Sequence, residues 1–251
     1  MQGEVATGRC VLRITGADRE TFLQGLVTND LRRLAEGAVY AALLTPQGKY
    51  LADFLLVAQD GAILLDVAEA LAPDLLRRLS MYRLRADVAI AEIGIVPRRG
   101  LGAPPPGAVA DPRHLALGWR AYDGAPAGAP AIDWDAIRVA HVIPESGIEL
   151  IPGETFILEA GFERLHGVDH RKGCYVGQEV TARMKHKTEL RKGLVAVAVD
   201  GAAEPGAEIA GADGRAAGTL FTRSGDRAIA HLRFDRAEGE MRAGAARVRL
   251  A

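Results

Sequence analysis

The chain has 251 residues, 31 Lys and Arg against 32 Asp and Glu, a formal net charge of −1 and 49% hydrophobic residues, proportions ordinary for a globular protein of one large domain or two or three small ones. No apolar run approaches the ~20 residues of a membrane-spanning helix, and Cys10 and Cys174 alone cannot build a disulfide framework. Met1 to Arg13 contains Glu4 and lacks the basic-then-apolar order of a signal peptide, so the expectation is a cytoplasmic protein. Cys10 to Ile14 alternates as a strand, with Cys10 read as a buried small hydrophobe. From Arg19 onward Phe22, Leu23, Leu26, Val27 and Leu31 recur at helical spacing, and Gln24 and Thr28-Asn29-Asp30 fall near that helix's end. Tyr40 to Leu44, Lys49 to Val57 and Ala62 to Val67 are three strands divided by Thr45-Pro46-Gln47-Gly48 and Gln59-Asp60-Gly61.

Ala70 to Leu84 reads as an amphipathic helix with Pro73 in its first turn, and Ala86 to Val96 as a returning strand. The order is α+β with an antiparallel sheet, and no Rossmann or phosphate-loop signature follows any strand. Residues 98–111 and 123–130, rich in Pro, Gly and Ala, read as loops around a short strand within Leu115 to Tyr122. Asp133 caps a helix from Trp134 to about His141. After Lys192 short strands joined by glycine-rich turns predict a closing β-barrel or sandwich. The expected divisions are 1–97, 98–192 and 193–251.

The chemistry concentrates in His170-Arg171-Lys172-Gly173-Cys174-Tyr175-Val176-Gly177-Gln178-Glu179 and the basic run behind it. Four of the chain's five lysines, Lys172, Lys185, Lys187 and Lys192, lie here, and Asp169 to Lys192 holds seven basic residues against three acids. Cys174 between two glycines suits an exposed, shaped loop, and nearby cations favour a thiolate, which makes it a candidate reactive thiol. The same charge suits an anion, a polyanionic tail or an RNA backbone reached through Arg171, Lys172, Lys185, Lys187 and Lys192. His166, His170 and Cys174, four apart, would line a helix face as metal ligands, but Gly167, Gly173 and Gly177 argue against that helix, and no metal site is expected. A Cys174 pair with His170 or His186 as base is a further possibility. Two carboxylates sit inside apolar runs, Asp53 in Tyr50-Leu51-Ala52-Asp53-Phe54 and Glu159 in Phe156-Ile157-Leu158-Glu159-Ala160-Gly161; each is either a strand-edge residue or a group with a specific partner or ligand.

Lys172-Gly173-Cys174-Tyr175-Val176-Gly177-Gln178-Glu179 strongly resembles the signature of the folate-binding YgfZ family, helper proteins for iron-sulfur enzymes that include one linked to tRNA modification. Phe22 to Asp30 and Thr45 to Asp53 resemble the first-helix motif and the aspartate-bearing hairpin of the glycine-cleavage T-protein, an aminomethyltransferase, and Leu158-Glu159-Ala160 is similar to its pterin-holding region. The resemblance implies small α+β units around a central folate cavity plus a C-terminal β-barrel. It implies tetrahydrofolate or another reduced folate held by Glu159, with Asp53, Asn29, Gln24, Tyr175 and Gln178 as further binding residues. It also implies Cys174 as the functional thiol, with Lys172 and Asp53 beside it in the chemistry, and iron-sulfur enzymes or assembly proteins as partners. T-proteins lack the Cys174 motif, so an accessory factor is expected ahead of a folate-dependent one-carbon transferase or an RNA-binding module.

Overall fold

The computed structural model describes residues 3–187 and 189–251, with Lys187 described in its backbone alone. They form two compact units, the first made of the chain up to Ile132 with Glu163–Val180, the second of Asp133–Phe162 with Thr181–Ala251. Residues 98–192 thus contribute to both.

In the first unit β1 (Glu4–Val5) and β2 (Arg9–Thr15) lead to α1 (Arg19–Gln24), β3 (Val39–Leu44), β4 (Tyr50–Gln59), β5 (Ala62–Ala68), α2 (Ala72–Tyr82), β6 (Ala89–Ile93), β7 (Arg98–Gly100), β8 (Val109–Ala110) and β9 (Trp119–Ala121). Five of these strands make an antiparallel sheet in the order β3-β4-β5-β2-β6, and four make a second sheet, β1-β7-β9-β8. Strand alternation explains what each face of the larger sheet buries. Leu12, Ile14, Phe54, Leu56, Ile63 and Leu65 share one apolar core with Leu23 of α1 and Leu75 and Leu79 of α2. Val11, Val57 and Leu64, one residue out of step, meet Tyr122 on the other face.

The first helix is shorter than its periodicity predicts, ending at Gln24. Leu26, Val27 and Leu31 are buried all the same. The helix stops because short polar side chains offer the backbone other partners: the Thr28 hydroxyl accepts from the Ala42 amide at 2.9 Å, and Asp30 caps the following 3-10 turn, accepting from the Arg32 amide at 3.0 Å. Within the presumed loop 98–111, β7 and β8 are ordered by pairing with β9.

In the second unit α3 spans Trp134–His141 as its cap predicts, the Asp133 carboxylate accepting from the Ala136 amide at 2.9 Å. The helix α4 (Gln178–Lys187) precedes β10 (Lys192–Asp200), β11 (Glu208–Ala210), β12 (Ala216–Ser224), β13 (Arg227–Arg233), β14 (Met241–Ala243) and β15 (Ala246–Leu250), which close a barrel in the order β10-β13-β12-β11-β14-β15. Val197, Ile209, Leu220, Leu232, Met241 and Val248 fill it.

Candidate functional site

The signature loop is fixed from below. The buried Lys172 ammonium, 8% exposed as a residue, donates to the carbonyls of Gln24 at 2.6 Å and Val27 at 2.5 Å, where α1 has ended, and lies 5.1 Å from the centre of the Tyr175 ring. Burial pushes Lys172 down to about 8, against the pull of Asp30 and Asp169. Three more bonds hold the approach to the loop: Thr28 Oγ1 to the Gly167 carbonyl at 2.7 Å, the Asp169 amide to the Thr28 carbonyl at 3.0 Å, and Asn29 Nδ2 to the His166 carbonyl at 2.6 Å. Gln24 is part of the same joint, accepting from the Leu31 amide at 2.9 Å and donating to Asp30 at 3.2 Å. Arg32 holds the Asp30 carboxyl down at about 2.

The two glycines do different work. Gly173 has φ +104° with open space around it, whereas at Gly177 (φ +83°) a Cβ would come within 2.6 Å of the Thr45 carbonyl. The second glycine therefore lets the loop pack on the Thr45–Gly48 turn. Cys174 stands exposed between them, and Gln178 opens α4. His170 lies against Glu163, Nε2 to Oε1 3.3 Å, and no hydrogen bond joins it to Cys174. The stretch from His166 to Cys174 is turn rather than helix, and among the described residues no cluster of three potential metal ligands gathers. Cys10 is buried, and burial, then Glu92, pushes its thiol up to about 11.

The basic stretch is less exposed than its composition implies. Lys172 points inward, Lys192 lies 3.5 Å from Glu159, Arg171 and Lys185 are exposed, and the Lys187 side chain lies outside the described residues.

Asp53 is buried, and its carboxylate accepts from Tyr40 at 3.0 Å and Tyr50 at 2.7 Å. It belongs to a buried polar layer that sequence reasoning missed. Arg9 donates to Asp66 at 2.6 Å; Arg120 bridges Asp66 at 3.0 Å and Asp111 at 3.3 Å; Arg113 donates to Asp111 at 2.7 Å and lies 5.5 Å from the centre of the Tyr40 ring. Burial raises the Asp66 carboxyl, but Arg9 and Arg120 outweigh it and hold it below the usual range; Asp111, against the same penalty, is held at about 2 by Arg113 and Arg120. Burial and then Asp53 keep Tyr40 protonated far above its ordinary range. Asn29, Tyr40, Arg33, Ala110 and His166 line a cavity of about 490 Å³ in this unit.

Glu159 is in the second unit, on a turn whose backbone is pinned where the Leu194 amide donates to the Glu159 carbonyl at 2.9 Å. Its side chain, 10% exposed, is approached by Lys192 Nζ at 3.5 Å and His231 Nε2 at 3.4 Å. These residues, with Glu149, Glu154, Thr155, Thr219 and Phe221, line a hollow of about 240 Å³. His231 lies 72 positions beyond Glu159 in the barrel, and no sequence signal ties the two.

An iron-sulfur cluster assembly factor of Mus musculus, IBA57, is 32% identical to this chain over 279 residues, covering 93% of this chain and 78% of the relative. The chain belongs to the IBA57 family. The human IBA57 is 30% identical, with the same coverage of 93% and 78%. A Mycosarcoma maydis IBA57 homolog is 31% identical over 74% of this chain and 54% of its own length, so this chain spans about half of that relative. Residues 191–251 match the family model described as the CAF17 C-terminal beta-barrel domain. The glycine cleavage system aminomethyltransferase T of Bartonella henselae superposes with a TM-score of 0.77 over 99% of this chain and 86% of its own, at 12% identity, a likeness of fold. The fold is therefore the expected α+β T-protein type with a C-terminal barrel, and IBA57 membership agrees with the resemblance carried by the Cys174 signature. The cytoplasmic expectation is overturned: the matched IBA57 relatives are named mitochondrial.

Proposed function

We propose that this protein is an accessory factor for the assembly or repair of iron-sulfur enzymes, radical tRNA-modifying enzymes among its clients, and that it works through the thiol of Cys174 with a reduced folate bound at Glu159. The observation that carries this reading is an exposed cysteine on a loop anchored by a buried lysine. A thiolate is a soft ligand for iron-sulfur centres and a nucleophile in thiol exchange, and either use requires access. The relatives' names, iron-sulfur cluster assembly factors, support the same client class.

The residues around Glu159 fit a reduced pterin head. A carboxylate nine-tenths buried favours N–H donors, the Thr155 and Thr219 hydroxyls add polar partners and Phe221 an apolar wall, and the hollow suits a head group with its tail outside. A reduced folate supplies a one-carbon carrier that is also readily oxidised. A one-carbon transferase using Asp53 is the weaker reading, because two tyrosine hydroxyls already engage that carboxylate.

The test is complementation of a deletion strain with Cys174→Ser. Activity of iron-sulfur enzymes should stay low while the purified variant still binds tetrahydrofolate; full restoration of those activities by the variant would refute the role of the thiol.

A further inference from the structure

Glu159 is held at its backbone and approached at its tip by two different strands. Lys192 and Leu194 alternate along β10, and Leu194 faces His231 across the β10–β13 ladder. Lys192 and His231 are therefore diagonal neighbours on one face of the barrel wall. A Cβ at Gly193 would meet the Glu159 carbonyl at 3.0 Å, so glycine between Lys192 and Leu194 lets the Glu159 turn lie against that wall. Both side chains come nearest to the same oxygen, Oε2, and among the described residues the Glu159 side chain makes no hydrogen bond.

We infer that Lys192 and His231 are positioning residues for Glu159: they hold its carboxylate oriented so that it can accept the N–H groups of a 2-amino-4-oxopyrimidine edge. The other charged groups lining the hollow are Glu149 and Glu154. Glu149 is saturated, by Arg138 at 3.0 Å, the Thr222 hydroxyl at 2.5 Å and the Glu145 amide at 2.9 Å. Lys192 and His231 are thus the polar partners beside a carboxylate that would be costly to bury alone. Their side chains, 44% and 30% exposed, can adjust when a ligand enters.

The inference rests on the reading of this hollow as a reduced-folate site, and titration calorimetry with tetrahydrofolate on the full chain at neutral pH separates the two. The wild type should bind and Glu159→Gln should not. His231→Gln and Lys192→Met should each weaken binding about tenfold, Lys192→Arg should restore most of it, and thermal melting should be unchanged. A merely structural role would instead lower the melting temperature of both weakened variants, and Lys192→Arg would have no affinity to restore. Wild-type affinity in both variants would overturn the positioning role and leave the folate reading intact. If the wild type binds no tetrahydrofolate, the folate reading fails and the inference falls with it.

Discussion

Two ionic clusters, one in each unit, are built to opposite standards. Around Asp66 and Asp111 the contacts run from 2.6 to 3.3 Å, three arginines answer Asp66 and Asp111, and the tyrosine hydroxyls of Tyr40 and Tyr50 on Asp53 and of Tyr122 on Asp66 complete the layer. Around Glu159 the His231 and Lys192 nitrogens stop at 3.4 and 3.5 Å, and both side chains keep part of their surface in water. A saturated cluster has nothing left to offer a ligand and specifies how two sheets meet; a loosely satisfied carboxylate beside a hollow retains that capacity. Burial alone would have ranked Asp53 and Glu159 together.

The contrast breaks most readily at Asp66. Asp66→Leu takes away the anion that Arg9 and Arg120 share and leaves Arg120 with Asp111 alone, and removing one partner of a buried pair typically costs about 3–5 kcal/mol. Urea unfolding should show that loss. A loss near zero would mean the polar layer is dispensable.

Next in size is Lys172. Its folded value of about 8 lies below the ordinary lysine value of 10.5. Between those pH values the unfolded chain binds more protons than the folded one, so stability should rise as pH climbs from 8 towards 10.5, by up to about 3 kcal/mol. The rise should be missing in Lys172→Met. Equal slopes for the two proteins in that window would show that the ammonium is not buried as described. At acid pH a smaller effect has the same sign, stability rising with pH. With Asp111 held at about 2, the stability it contributes is full above the ordinary carboxylate range and is lost as pH falls from about 5 to 2, roughly 2 kcal/mol for this one group. Denaturant curves of the wild type and Asp111→Asn should lie closer together at pH 3 than at pH 7.

Periodicity and turn chemistry made much of this fold legible. The hairpins around Pro46 and Asp60, α3 with its Asp133 cap and the barrel strands after Lys192 all depend on local signals. The α1 boundary was not legible, because Leu26, Val27 and Leu31 keep the helical spacing while Thr28, Asn29 and Asp30 divert the backbone. Cys174's exposure followed from its glycines, but not the inward course of Lys172, since a lysine in a basic run gives no sign of two helix-end carbonyls 145 and 148 residues away. Asp66 drew no notice within Ile63-Leu64-Leu65-Asp66-Val67, because Arg9, Arg113 and Arg120 converge on its layer only through sheet pairing. The same holds for His231 and Glu159.

The smallest expected effect sharpens the comparison most. Glu159→Gln leaves Lys192 and His231 without their anion, but both side chains already reach water and can turn towards it, so the stability change should stay within about 1 kcal/mol. Tetrahydrofolate binding should nevertheless disappear, because an amide presents one acceptor where the head group needs two. Should Glu159→Gln instead destabilise the chain as Asp66→Leu does, the second cluster would be a structural ion site like the first, and the hollow beside it would lose its claim to a ligand.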